Sequence, residues 1–334
     1  MPPPLPEATG TVIPWEGRTR DEPPHAGFAR RPGQAPGRRR VRPRGASPSG
    51  LVHHAAMPSA RPAVVLPLRL LALLPIVVLA TGAAIPVVRP VVLGVLAAGA
   101  IAIAVSGRAR DSMGRGWLAT LPAAVGLTWA ALAGTPMPLP DAIHCADVLS
   151  PPTVTRVVQA CLVLATLALV GRIAGDTAAL RLRLPTDRRV AALALVGPFV
   201  LVPGALWIGP LLARPFFGDV GLVTGDLRAL VPAAAFAIAN AALEESMYRG
   251  ALLGWSTPAL GLAGAVLGQA VVFGFAHLGA DVSGAAPLLW LGMAASGAVA
   301  GAVAVRSRSL LLPFTVHAAL DVPLYYAYAC RLAT

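Results

Sequence analysis

Residues 229–278 read ALVPAAAFAIANAALEESMYRGALLGWSTPALGLAGAVLGQAVVFGFAHL. The stretch divides into two apolar runs, 229–253 and 258–278. Each is about as long as a helix needs to be to cross a hydrocarbon core of roughly 30 Å. No water at that depth can pair with backbone groups, so such runs must be helical. Their Ala, Leu, Val and Gly come in unbroken series, without the alternation of an outer-membrane barrel strand. The charges inside the stretch are confined to Glu244, Glu245 and Arg249.

Working outward, seven further runs share the pattern: 70–88, 90–106, 117–134, 154–174, 190–213, 286–305 and 310–329. The expected fold class is therefore all-α, a polytopic integral membrane bundle of about eight or nine transmembrane helices. Composition agrees. Hydrophobic residues make up 56% of the 334 and charged residues 13%, with a mean hydropathy of +0.70. A soluble domain carries about 25% charged residues, so a soluble enzyme is excluded.

Three regions are expected. Residues 1–62 are rich in Pro, Gly and Arg without apolar periodicity, and read as a disordered cytoplasmic tail. The run Arg38–Arg44 in it suits contact with anionic lipid, and Met57 is an alternative start just ahead of the first span. Residues 63–189 supply N-terminal transmembrane helices, and 190–334 a second helical region. All 27 basic residues are arginine, and the net charge is +12. Arginines mark the tail and the loops around 108–115, 181–189 and 306–308, whereas 135–153 and 279–285 have none. That alternation follows the positive-inside rule and predicts a multi-pass protein of the cell membrane, N-terminus cytoplasmic and C-terminus outside. Tyr325, Tyr326 and Tyr328 are expected to form an aromatic anchor at the far end of the last span. The bilayer is thus one partner, and no nucleic acid is expected. Cys145, Cys161 and Cys330 show no CxxC spacing, and Asp141, His144 and Asp147 lack a further ligand, so neither set indicates a metal site.

Within the predicted spans, Glu244, Glu245, His277, His317 and Asp321 stand out. Charge near mid-bilayer costs at least ~2.5–3.5 kcal/mol on insertion scales, so intramembrane ionisable residues are functional candidates. Glu245 and Arg249 are four apart and share a helical face, so they can pair. Glu244 is rotated by about 100° and keeps its carboxylate for another partner. Phe273 and His277 are four apart, as are His317 and Asp321. Convergence of the three spans would gather carboxylates and two imidazoles around a water-sized space, which suits general acid–base hydrolysis. Glu244 and His277 reach equal depth only if the chain reverses near Gly261. Small-residue faces at Gly261, Gly264 and Gly268, and at Gly292, Gly297 and Gly301, are expected to pack helices closely.

Glu244-Glu245-Ser-Met-Tyr-Arg249 resembles the EExxxR motif of the CAAX-protease and bacteriocin-processing (CPBP/Abi) family of intramembrane glutamic endopeptidases. Phe273-Gly-Phe-Ala-His277 resembles its FxxxH motif and His317-Ala-Ala-Leu-Asp321 its HxxxN/D motif, over roughly residues 190–330. The resemblance implies a CPBP-like intramembrane peptidase core, a peptide or membrane-protein substrate and no cofactor. It implies that Glu244 with His277 activates a water and that His317 and Asp321 stabilise the oxyanion. Glu245, Arg249 and Phe273 would shape the site. Asp321 stands where prenyl-protein-processing members have Asn. An ionised Asp cannot donate to an oxyanion, so it must be protonated or orient His317 as an acceptor. Three other readings of the same residues remain: a His₂Glu zinc hydrolase, a proton-coupled transporter, and a catalytically silent immunity or scaffold protein.

Overall fold

The computed structural model describes residues 62–133, 146–217, 227–278 and 286–329. Among them the chain forms nine α-helices: α1 (Pro62–Ala84), α2 (Arg89–Val105), α3 (Ser112–Leu132), α4 (Pro151–Ala174), α5 (Arg188–Phe217), α6 (Leu230–Glu244), α7 (Leu253–Ala276), α8 (Ala286–Ser307) and α9 (Leu311–Ala329). Residues Glu245–Leu252 continue α6 into α7 as a π-helical segment. No β-strand occurs among the described residues. The protein is a helical membrane bundle.

Local chemistry explains several ends. Pro151 and Pro152 open α4, where a missing N–H costs nothing and the fixed φ favours a first turn. Gly175 closes it at φ 66°, the left-handed conformation that glycine adopts without penalty. Among the described residues, five helical stretches are long and apolar enough to cross a membrane: 86–105, 151–174, 188–209, 227–276 and 287–307. The fourth holds two arms. It reverses at Gly261, whose φ of 73° and ψ of 166° break the helix. Glu244 lies seventeen residues before that point and His277 sixteen after it. The predicted loop at 253–258 is thus corrected: Leu253, Gly254, Trp255 and Ser256 are buried helix, and Pro258 sits inside it.

Two apolar cores hold the bundle. The larger runs from α1 through α2, α3 and α4 to the π segment and α7, around Leu79, Leu96, Leu118, Val163, Met247, Trp255 and Phe273. The smaller joins α6 to α9 through Ala233, Phe236, Ala237, Val322, Tyr325 and Tyr326, with Val202 and Leu206 of α5 against it. Tyr325 and Tyr326 therefore face the interior, and Tyr325 shares a hydrogen bond of 3.0 Å with Ser150. For these two the aromatic-anchor expectation is overturned, because α9 turns that face onto α6. Elsewhere α5 exposes Phe199, Trp207 and Leu211, which suits hydrocarbon as surroundings.

The glycine faces divide. A Cβ on Gly297 would meet the Phe273 ring at 3.1 Å, and one on Gly301 would meet the Gln269 amide at 2.8 Å, so α8 does approach α7 closely there. At Gly261 and Gly292 a Cβ would meet nothing within 4 Å. The first is the reversal and the second lies open, so neither packs helices.

Candidate active site

Glu244 is the last residue of α6, Glu245 and Arg249 lie in the π segment, and Phe273 is in α7. His277 follows α7 directly, while His317 and Asp321 face inward from α9. The structure brings all seven together.

His317 is the hub. Its Nδ1 lies 2.8 Å from Glu245 Oε1. A carboxylate oxygen only accepts, so Nδ1 carries the proton and donates. Its Nε2 faces two more carboxylates, Glu244 Oε2 at 3.6 Å and Asp321 Oδ2 at 3.4 Å. Arg249 completes the cluster through an ion pair to Glu245 at 3.2 Å, with both side chains 2% exposed. This pair lies inside the protein, not at a solvated helix end. The 100° phase expected between Glu244 and Glu245 agrees with this arrangement, in which Glu245 meets Nδ1 and Glu244 faces Nε2. The wider π segment begins between them, and both carboxylates reach the same imidazole from opposite sides. Such segments recur at functional sites, because the extra residue per turn reorients side chains.

His277 is organised differently. Its Nδ1 lies 2.7 Å from the carbonyl oxygen of Phe273. That acceptor fixes the tautomer with the proton on Nδ1, which leaves the Nε2 lone pair free to take a proton. The ring packs on Phe273 at a centroid separation of 4.7 Å, and His317 meets the same phenyl ring at 6.4 Å, nearly perpendicular. Phe273 thus separates and orients the two imidazoles. Arg249 sits over it at 4.1 Å and Tyr248 meets it edge-on at 5.1 Å. Glu244 and His277 lie within electrostatic reach of each other. Oε2 of Glu244 accepts no hydrogen bond from the protein.

Two contributors were missed by reasoning from the motifs. Asn240, one turn before Glu244 on the same face, donates through Nδ2 to Asp321 Oδ2 at 2.7 Å. It is the sole asparagine in the chain, a polar residue in an apolar run, and that was the available signal. Arg156 of α4 stacks over Phe236 at 5.4 Å, donates to Gln159 Oε1 at 2.9 Å, and acts electrostatically on Glu244 and Asp321. It too is a charge set within a predicted span. Asp147, by contrast, only closes a turn by accepting from Leu149 N–H, while Asp141 and His144 lie outside the described residues. Among the described residues no group of three or more His, Cys, Asp and Glu is arranged to hold a metal ion.

This cluster, with its three motifs on helices that converge, falls within the reach of one family match. Residues 226–323 match the family described as type II CAAX prenyl endopeptidase Rce1-like. The chain carries an Rce1-like domain. That domain covers α6, the π segment, α7, α8 and α9 through Pro323, and therefore contains every residue of the cluster except Arg156. No curated protein and no solved structure shows significant similarity to the chain. The match supports, at the level of class, a CAAX-type membrane protease acting on a peptide in the membrane.

Proposed function

We propose that the protein is an intramembrane endopeptidase that hydrolyses a peptide bond of a peptide or membrane-protein substrate with a water activated by Glu244 and His277. The observation that carries the reading is the fixed tautomer of His277, whose Nδ1 is committed to the Phe273 carbonyl and whose Nε2 is left unprotonated. These two groups take the proton of the attacking water as its oxygen bonds to the carbonyl carbon. The same proton then passes to the departing amine as the C–N bond breaks. His317 and Asp321 stabilise the oxyanion side of the site. In that pairing the donor is His317 as an imidazolium: Nδ1–H is spent on Glu245, so the oxyanion would take a second proton carried on Nε2, the nitrogen that faces Glu244 and Asp321. Asp321 serves as an acceptor, its carboxylate already taking the Asn240 amide hydrogen. Glu245, Arg249 and Phe273 hold the shape of the site. The cytoplasmic N-terminus and outer C-terminus expected from the arginine pattern belong to the same proposal, as does a mechanism without a metal cofactor.

The test is cleavage of a membrane-peptide library by detergent-purified protein, comparing wild type with Glu244→Ala and His277→Ala. The expected result is loss of at least 100-fold in both variants, each folded like wild type, the scale of one general acid–base group. Wild-type rates in either variant would refute the assignment. Inhibition of wild type by a chelator, restored by zinc, would move the chemistry to a metal.

A further inference from the structure

A cavity of ≈ 550 Å³ opens at the arginine-rich end of the bundle, between α4, the α4–α5 connection, α6 and the start of α9. Its polar lining is Arg181 and Arg183 with Glu245 and Ser246, and most of the rest is Leu164, Leu184, Leu310 and Phe314. The two arginines are neighbours on one wall. Burial, together with the adjacent Arg183 guanidinium, holds Arg181 below the usual arginine value. Neither forms an ion pair with a carboxylate among the described residues. Glu245, which also reaches the cavity, spends its Oε1 on His317 and Arg249.

The arginines are held in place by backbone bonds that leave donors over. Arg181 Nη1 donates to the carbonyls of Ala179 and Arg249 at 3.2 and 3.3 Å, and Arg183 Nε donates to that of Arg308 at 3.0 Å. In return Leu310 N–H donates to the carbonyl of Arg181, and Ser309 donates to that of Arg183. Arg181 and Arg308 both adopt left-handed backbone, at φ 55° and 53°, a conformation that costs a non-glycine residue about 1–3 kcal/mol and persists where surroundings enforce it. Beside them Leu182 and Leu184 are 65% and 75% exposed. Exposed leucines next to paired arginines, at the end of a membrane bundle, match the boundary between acyl chains and headgroups.

We infer that this cavity binds an anionic phospholipid, its phosphate held by Arg181 and Arg183 and its upper acyl chains lying against Leu184, Leu310 and Phe314. Charge complementarity selects the headgroup. Arg181 keeps Nε and Nη2, and Arg183 keeps both terminal nitrogens, so each still offers the forked donors that phosphate accepts, and the volume falls in the range of small-molecule sites. The apolar wall selects a lipid over a free phosphate ester. Because Arg181 also holds the carbonyl of Arg249, the bound lipid would brace the π segment that carries Glu245. The site depends on none of the proposed hydrolytic chemistry.

The experiment is native mass spectrometry of the full chain in neutral detergent, titrated with phosphatidylglycerol or phosphatidylcholine of identical acyl chains. One phosphatidylglycerol should bind at least 10-fold more tightly than phosphatidylcholine. Arg183→Gln keeps an amide donor for the Arg308 carbonyl while removing the charge, and should weaken phosphatidylglycerol about 10-fold, the scale of a charged hydrogen bond. Arg108→Gln, in the α2–α3 connection, should change nothing. Equal binding of the two lipids, an unaffected Arg183→Gln, or an equal loss in Arg108→Gln would each overturn the inference. Glycerophosphoglycerol, which lacks acyl chains, should bind far more weakly; parity would overturn the lipid in favour of a soluble phosphate ester. Should Arg183→Gln not fold, wild type alone decides. A phosphatidylglycerol with a diazirine high in one acyl chain should label residues 180–184 or 310–314, and labelling elsewhere refutes the site.

Discussion

Gly261→Ala isolates the turn on which the candidate site depends. The native φ of 73° with ψ of 166° is a region that essentially only glycine occupies. A Cβ there would meet no atom within 4 Å, so alanine adds neither a clash nor a contact. The whole effect is backbone. Strain for a side-chain-bearing residue lies toward the upper end of about 1–3 kcal/mol. The smaller entropy of alanine in the unfolded chain offsets roughly 0.4–1 kcal/mol of it. The net destabilisation should be about 2 kcal/mol, roughly a 30-fold change in the unfolding equilibrium. Gly292→Ala is the matched control. It too meets nothing within 4 Å, but it lies in the regular helix α8, where alanine gains up to about 1 kcal/mol. Unfolding of both variants in mixed micelles should separate them by about 3 kcal/mol. If Gly261→Ala escapes its strain by shifting the reversal one residue, one arm moves about 1.5 Å and rotates about 100°. That displacement would carry His277 away from its partners and cost about 100-fold in cleavage. Equal stability of the two alanine variants would refute the reasoning.

Three further outcomes follow from the buried charges. Arg249→Met leaves the Glu245 carboxylate buried with His317 as its remaining partner, and should destabilise by about 3–5 kcal/mol, as for other broken buried pairs; a loss below about 1 kcal/mol in chemical unfolding would contradict that burial. Asn240→Ala removes the donor to Asp321 and should cost about 1.5–3 kcal/mol. Asp321→Asn can still accept from Asn240 through its carbonyl oxygen, so it should remain within about 1 kcal/mol of wild type, and a larger loss would show that the negative charge itself is required.

Much of the candidate site was legible because burying charge in an apolar span is costly, so each ionisable residue there announced itself. Glu244, Glu245, Arg249, His277, His317 and Asp321 were found that way, and the fourfold spacings placed Phe273 beside His277 and His317 beside Asp321. Asn240 carries no charge and belongs to none of the three motifs. Its role exists only once α9 brings Asp321 alongside. Tyr325 and Tyr326 read as interfacial anchors because composition cannot say which side of a helix meets a neighbour.

The sequence by itself determined that the chain is a bundle of membrane helices and that its candidate site lies between residues 244 and 321, because hydrophobic length and misplaced charge are local properties. Equal depth for Glu244 and His277 even pointed to Gly261 as the reversal. Only the tertiary structure decided the rest. It showed that His317 takes Glu245 on one nitrogen and faces Glu244 and Asp321 with the other, and that the Phe273 carbonyl sets the tautomer of His277. It also placed Arg181 and Arg183 together on one cavity wall. Such contacts join residues far apart in the chain, and their geometry follows from how helices pack, which no single stretch of sequence encodes.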